Sequence, residues 1–228
     1  ENLAAQTVTV TSARAFSGDK PVVVSPVTLK MRSNPNATAP AAAAAPDTMP
    51  PSVDPRQMSL LGAGWTLGSI AALAAGGAAS LTYYETTGWL GVMETAAGAP
   101  APDKFPSIPG AAFPMYHVFA DLGAFAGGEL LAVTVSDSRQ TGGLAVVRDG
   151  RLRLLLANFT PSTQTVMVRG LSGTVTVTTL DETSAERAMR HPDPFRASPG
   201  QPVRADSPGG LPLVLLPYAV VRLDGDAL

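Results

Sequence analysis

The chain has 228 residues, no cysteine and only two histidines, His117 and His191, which stand far apart. Without cysteine it forms no disulfide and no thiolate metal site, and it suits a reducing compartment such as the cytoplasm. Two separated histidines also offer no ligand pair for a transition metal. We therefore expect a cytoplasmic protein without a metal site.

Charged residues are scarce too, at 15% of the chain, whereas hydrophobic residues make up 45%. The formal net charge of −2 gives no electrostatic attraction to nucleic acid or to an anionic membrane. The apolar share is large enough to build a buried core, which excludes global disorder. We expect a folded protein whose partners are neither nucleic acid nor membrane.

No charged residue occurs between positions 58 and 84, a length that could cross a bilayer, and Gly64 and Gly68 have GxxxG spacing. The stretch is rich in alanine and glycine rather than in leucine, isoleucine and phenylalanine. We predict a buried helix that starts at 55–59, packs closely through its glycines and ends at Gly76. A membrane span is the alternative.

The first half alternates between strand-like and helix-like segments. QTVTVTSARAF and PVVVSPVTLK are β-rich, and the second is so apolar that we expect a strand buried on both faces. A Pro/Ala-rich loop, the helix above, the strands SLTYYETTG and GWLGVMET, and the helix PMYHVFADLGAFAG follow. The pattern indicates parallel strands with helices, but it is too short for a (β/α)₈ barrel of about 250 residues. We predict the last units of a TIM-like barrel over residues 1–128.

The second half consists of short β-runs separated by turn residues. ELLAVTVSDS, GGLAVVRDG, RLRLLLANFT, TQTVMVRG, GTVTVTTLDE and LPLVLLPYAVVRLDG are apolar or alternating, with one polar excursion before the last run. The Asp149-Gly150 pair between two such runs predicts a tight hairpin. We predict an antiparallel β-sandwich over residues 129–228, so the fold class is α/β followed by all-β.

Two glutamates end adjacent apolar runs: Glu85 closes SLTYYE and Glu94 closes GVME. In β/α barrels the C-terminal ends of the strands carry the functional groups. Partly desolvated by Tyr83, Tyr84 and Trp89, Glu85 would have a raised pKa, which suits a nucleophile or general base. Glu85 is our candidate catalytic residue, with a structural salt bridge as the alternative, whereas Glu94 is assigned a structural role.

Aromatic and loop residues near these strands are candidates for substrate binding. Tyr84 and Trp89 could stack on a sugar ring, although strand alternation predicts that Tyr83 and Tyr84 lie on opposite faces. Arg32 and Asn34 could hydrogen-bond a hydroxylated substrate or cap their own loop.

Two further candidates, Arg56 and Gln57, stand just before the predicted helix. Together with Asp54 they cap that helix or reach into the site, and the sequence leaves both options open.

The order of VVVSPVTLKMRSNPNATA, DPRQMSLLGAGWTLGSIAALAAGGAASLTYYETTGWLGVME, FPMYHVFADL and LLLANFTPSTQTVMV resembles the C-terminal part of a retaining-glycosidase-like (β/α)₈ enzyme with an appended β-sandwich. More closely, it is similar to the D-apionate lactonase family. The resemblance covers nearly all of this chain but only about the last third of such a protein. It implies that VVVSPVTLK, SLTYYE and GVME are barrel strands six, seven and eight.

The resemblance implies an enzyme that hydrolyses the lactone of a branched sugar acid in bacterial carbohydrate catabolism, without a cofactor. Glu85 then matches the nucleophile position on strand seven, with Arg32 or Tyr84 as oxyanion donor. The partner acid would lie upstream of Glu1, in an N-terminal part of the same protein, so residues 1–228 alone are expected to be inactive. A retaining glycoside hydrolase with Glu85 as nucleophile, and a non-catalytic fragment with a structural or carbohydrate-binding sandwich, are the alternatives.

Overall fold

The computed structural model describes residues 3–31 and 48–227, which form a helix-rich first part and a β-rich second part. The helices are α1 (Leu3–Ser17), α2 (Leu60–Ala75), α3 (Pro114–Gly123), α4 (Ala185–Arg190) and α5 (Pro192–Ala197), with a 3₁₀ turn at Pro55–Met58. The strands are β1 (Val23–Val27), β2 (Ser80–Tyr83), β3 (Glu85–Thr87), β4 (Gly91–Met93), β5 (Glu129–Leu131), β6 (Thr141–Arg148), β7 (Arg151–Asn158), β8 (Gln164–Val168), β9 (Thr174–Leu180), β10 (Gln201–Arg204), β11 (Leu211–Leu215) and β12 (Val220–Asp226).

The strands of the first part are parallel, as the sequence predicts. β1 pairs with β2, and β3 pairs with β4. Tyr84 lies between β2 and β3 with a φ of 47°, so one continuous segment pairs first with β1 and then with β4. Helix α2 connects β1 to β2 and α3 follows β4, so this part is an arc of a β/α barrel.

The segment QTVTVTSARAF is not a strand but belongs to helix α1. Its β-branched residues give a strand-like composition, yet propensity is a weak prior that tertiary packing overrides. Val10 is buried, and the Thr7 hydroxyl donates to the carbonyl oxygen of Ala72 in α2 at 2.8 Å. The contact with α2 therefore decides the structure of this segment.

Helix α2 packs closely through its glycines, as the GxxxG spacing predicts. A β-carbon at Gly68 would lie 2.5 Å from Leu3 Cδ1 and 2.9 Å from Phe159 Cζ, so any larger residue would require these two side chains to shift. The bounds of α2 also agree with the predicted helix. Within the described ranges, no helix combines the length and the apolar character that a membrane span requires.

Strands β1 and β2 are covered on one face only, which corrects the expectation that the valine run is buried on both faces. Exposed and half-buried residues alternate along β2, and Val23 and Ser25 of β1 are exposed. The helices cover one face, and no described residue covers the other.

The second part is an antiparallel β-sandwich, as predicted. Its larger sheet has the strand order β10-β9-β12-β7-β6-β5, and β11 pairs with β8 in a two-stranded sheet against it. Asp149 and Gly150, with φ angles of 51° and 73°, join β6 to β7 in the predicted hairpin. The polar excursion between β9 and β11 forms α4, α5 and the edge strand β10. The domain boundary after residue 128 stays a prediction.

Strand β7 separates two hydrophobic cores. Leu152, Leu154 and Leu156 face the core between the two sheets. The alternate residues Leu155 and Ala157 belong to the core that the barrel helices share with the larger sheet. The sandwich is thus attached to the barrel segment by a continuous apolar interface.

Candidate functional site

Glu85 is the first residue of β3 and is separated from the C-terminal end of β2 by Tyr84 alone, in the region where the barrel geometry predicts a functional group. Its backbone N–H donates to the carbonyl oxygen of Leu90 at 2.9 Å, and its register partner is Gly91 at the start of β4. The side chain is exposed among the described residues. This corrects the expectation of a carboxylate desolvated by neighbouring aromatic rings.

The two tyrosines beside Glu85 point toward α2 rather than toward opposite faces. The Tyr83 and Tyr84 hydroxyls form hydrogen bonds with Ser69 Oγ at 2.8 Å and Thr66 Oγ1 at 2.9 Å, and the ring centroids lie 5.7 Å apart. The positive φ of Tyr84 interrupts the strand, so the alternation on which the prediction rested does not apply.

Burial raises the pKa of Tyr83 to about 12 and raises the pKa of Tyr84 still further. Both phenols therefore stay neutral at physiological pH. With its hydroxyl bound to Thr66 inside the core, Tyr84 is placed for structure. Its predicted role as substrate ligand or oxyanion donor finds no support in this position.

Asp54 and Arg56 form a capped, paired unit at the 3₁₀ turn before α2. Asp54 Oδ1 accepts from the Arg56 backbone N–H at 2.9 Å, and its Oδ2 accepts from Arg56 Nη2 at 2.7 Å. Hydrogen bonding to the guanidinium lowers the pKa of Asp54 below its ordinary value. Asp54 therefore caps the 3₁₀ turn, whereas the N-cap residue of α2 itself is Ser59. Substrate binding by Arg56 stays a prediction.

Gln57 is buried and connects the same turn to the strand beside Glu85. Its Nε2 donates to the carbonyl oxygen of Gly91 at 2.7 Å. Because Gly91 is also the register partner of Glu85, the turn is held at the level of the candidate catalytic residue. Because its side-chain amide binds the Gly91 carbonyl, Gln57 helps to position β4. A contact between Gln57 and substrate stays a prediction.

Trp89 lies in the short connection from β3 to β4. It is partly buried and packs against the core that the barrel helices share with the larger sheet.

Glu94, which follows β4, is buried. Its Oε1 accepts from the Thr95 backbone N–H at 2.8 Å, and its Oε2 accepts from the Ser107 hydroxyl. These bonds hold the loop after β4, which agrees with the structural role predicted for Glu94.

Lys30 is a cation close to the 3₁₀ turn, and the sequence did not predict it as a site residue. It lies three residues past the end of β1, and its Nζ donates to the carbonyl oxygen of Val53 at 3.0 Å. Its charge also lowers the pKa of Asp54, although less than Arg56 does. Its position as the last residue of the predicted strand PVVVSPVTLK was the available signal. Arg32 and Asn34 lie outside the described residues.

The described residues include no cluster of three or more histidine or acidic side chains arranged to hold a metal ion. Gly91 links the strand of Glu85 to the 3₁₀ turn, since it is the register partner of Glu85 and accepts a hydrogen bond from Gln57. Arg56 lies in that turn, paired with Asp54, and Lys30 binds the Val53 carbonyl just before it. A carboxylate can activate water, and cations can stabilise developing negative charge.

Several solved structures share this fold. A conserved exported protein from Bacteroides fragilis has a TM-score of 0.59 at 12% identity, over 98% of this chain and 43% of its own. The glycoside hydrolase family 30 subfamily 8 xylanase Xyn30A from Clostridium acetobutylicum has a TM-score of 0.51 at 12% identity, over 74% of this chain and 40% of its own. The bifunctional glucanase-xylanase CelM2 from a metagenome library has a TM-score of 0.50 at 17% identity, over 75% of this chain and 29% of its own.

The chain thus spans less than half the length of each of these proteins, and identities this low establish a common fold only. No curated protein matches the chain. Two family descriptions do match: residues 1–127 match the TIM barrel domain of D-apionate lactonase, and residues 139–223 match its C-terminal immunoglobulin-like domain. With more than half of its length covered by the first match alone, the chain belongs to the D-apionate lactonase family.

Proposed function

We propose that this chain carries part of the active site of an enzyme that hydrolyses a sugar-acid lactone, with Glu85 as the carboxylate that activates water. The observation that carries the proposal is the position of Glu85, exposed and two residues past the end of β2, in a chain whose two halves match the family. A D-apionate lactone is the substrate that the family name suggests. Bacterial carbohydrate catabolism and a cytoplasmic location stay predictions.

The reaction requires a base, a water molecule and a donor to the carbonyl oxygen. Glu85 takes a proton from water as the water oxygen attacks the lactone carbonyl carbon. Collapse of the tetrahedral intermediate breaks the ring C–O bond, and the proton passes to the leaving alkoxide to give the open hydroxy acid. Cationic donors stabilise the oxyanion between these steps. The cations that we propose for this role are Lys30 and Arg56, which lie at the 3₁₀ turn that Gln57 binds to β4.

The exposed face of β1 and β2 supports a site that other strands complete. Ser25 and Thr82 lie on this face and are hydrogen-bonded to each other across the two strands. In a complete barrel such side chains form the interior layers beneath the active site. We propose that an N-terminal part of the same protein supplies the missing strands and a second carboxylate opposite Glu85.

Replacing Glu85 with Gln in the whole protein tests the proposal. The substitution keeps the shape of the side chain but removes the base, so we expect kcat for a sugar-acid lactone to fall by about 10²- to 10⁴-fold. Glu129→Gln, which changes an exposed glutamate on β5, serves as the matched control and should leave kcat unchanged. Near-normal turnover by Glu85→Gln would reject the assignment.

A retaining glycoside hydrolase is the second candidate, favoured by the fold shared with the xylanase and the glucanase-xylanase. In that case Glu85 would be the nucleophile, and its carboxyl group would lie about 5–5.5 Å from a partner acid. Parallel assays with aryl glycosides and with a lactone separate the two candidates. If residues 1–228 alone hydrolysed the lactone, the proposal that an N-terminal part of the protein completes the active site would be rejected.

A further inference from the structure

A small cavity lies at the junction between the barrel segment and the sandwich. It is enclosed by α3, α5, β9 and β12, and it leaves about 20 Å³ for the centre of a water molecule. Its polar lining consists of His117, Asp121, Thr178, Arg196 and Arg222. A single buried water requires about 10–15 Å³ of such space together with two or more polar partners. The cavity therefore has room for one water molecule.

His117 presents an unpartnered nitrogen in this region. Its Nε2 lies 3.1 Å from the carbonyl oxygen of Ala188 in α4, and a carbonyl only accepts, so Nε2 carries the ring proton. Burial lowers the pKa of His117 and keeps the ring neutral. Nδ1 is then a buried acceptor, and it has no hydrogen-bond partner among the described residues. An unsatisfied buried acceptor is costly, which calls for a donor at this position.

Two guanidinium groups, those of Arg196 and Arg222, also line the cavity and supply hydrogen-bond donors. Asp121 Oδ1 accepts from Arg196 Nη1 at 2.7 Å and from Arg222 Nη1 at 2.8 Å. The Nε of Arg222 forms an ion pair with Asp224 Oδ2 at 2.9 Å, although it makes no hydrogen bond among the described residues. With Arg153, which pairs with Asp224 and contacts Asp121, three guanidinium groups share two carboxylates.

We propose that this cavity is a binding site for one ordered water molecule, which donates to His117 Nδ1 and accepts from a guanidinium group of Arg196 or Arg222. Water suits the site because it is both donor and acceptor. A halide ion could not donate to Nδ1, and an empty cavity would leave His117 Nδ1 unsatisfied.

The water would complete a polar connection between the two parts of the chain. His117 belongs to α3 of the barrel segment, whereas Ala188, Arg196 and Arg222 belong to the second part. Beside it, the Ala112 backbone N–H donates to the carbonyl oxygen of Met189 at 3.0 Å. The barrel segment thus binds two consecutive carbonyl groups of α4, those of Ala188 and Met189. The water would fix the orientation of the His117 ring, which binds the first of them.

A crystal structure of the whole protein at a resolution that shows ordered water tests the proposal directly. We expect one water within hydrogen-bond distance of His117 Nδ1. An empty cavity, or density for an ion in place of water, would overturn the proposal.

A cavity-filling substitution tests it in solution. Val118 lines the cavity, so Val118→Ile adds a methyl group to the cavity wall and should reduce the space for the proposed water. We expect Tm to fall by roughly 2–4 °C, the shift that a lost hydrogen-bond partner produces in a protein of this size. The fall should be at least halved in a His117→Leu background, which has no Nδ1 to leave unsatisfied. A rise in Tm, or an equal fall in both backgrounds, would overturn the proposal.

Discussion

Two runs of three identical apolar residues lie in different surroundings in the two parts of this chain. Residues 22–24 are valines in and just before β1, and residues 154–156 are leucines in β7. Val23 is 59% exposed, whereas Leu155 is 0% exposed. β7 is an inner strand between two cores, but β1 has helices on one face only. The layers on each face decide the burial of an apolar run, and its composition does not.

The largest effect is expected where the two parts meet, at Asp121. Asp121→Ala leaves the partly buried Arg196 guanidinium without its carboxylate and leaves Arg222 with Asp224 alone. We expect the free energy of unfolding to fall by about 3–5 kcal/mol, measured by urea denaturation. Glu186→Ala, which removes an exposed pair with Arg190, is the control and should cost about 0.3–0.5 kcal/mol. Equal costs would show that the junction contributes little.

The next effect tests the buried leucine run. Leu155→Ala removes a side chain from the core shared by β7 and the barrel helices, so we expect a loss of about 2–5 kcal/mol in urea denaturation. Leu130→Ala, at a half-exposed position on the edge strand β5, is the matched control and should cost a fraction of this. If the two variants were equally stable, β7 would not separate two packed cores.

The valine run gives a smaller and more diagnostic effect. If β1 lies in a complete barrel in the whole protein, Val23 faces the barrel interior there. Val23→Ala should then cost about 1–2 kcal/mol, at about 0.8 kcal/mol per buried methyl-sized group. A cost under about 0.5 kcal/mol is typical of a surface position and would contradict a covered β1. Thermal or urea unfolding of the whole protein measures the difference.

The smallest effect concerns the tyrosine next to Glu85. Tyr84→Phe removes the hydrogen bond to Thr66, so we expect a loss of about 0.5–1.5 kcal/mol in stability with kcat and KM unchanged. Tyr83→Phe, which removes the equivalent bond to Ser69, should behave alike. A rise in KM for Tyr84→Phe alone would show that its hydroxyl reaches the substrate after all.

The sequence predicted best where local chemistry decides the structure. The Asp149-Gly150 hairpin follows from two residues that tolerate positive φ, and the extent of α2 follows from its glycine and alanine pattern. Helix α1 was predicted wrongly because its β-branched residues favour a strand locally, while contact with α2 favours a helix. Local preference and packing agree in the first two cases and conflict in the third.

The candidate site was predictable only in part. The sequence predicted Glu85 at the C-terminal end of a barrel strand, and it lies two residues past the end of β2. This position follows from the chain direction, because parallel strands all end at the same edge of a sheet. The orientation of Tyr84 was not predictable, because its positive φ is uncommon for a bulky residue and breaks the two-residue period of a strand. Lys30 was missed because the contact with Val53 joins segments far apart in the chain.

By itself, the sequence determined the class of fold, the order of its elements and the position of Glu85 along a strand, because these depend on periodicity, turn residues and chain direction. Only the tertiary structure decided which face of each strand is covered, that Tyr83 and Tyr84 both point toward α2, and that Arg153, Arg196 and Arg222 converge on Asp121 and Asp224. The physical reason is that burial and ion pairing depend on layers contributed by distant parts of the chain. The local pattern of a segment does not contain that information.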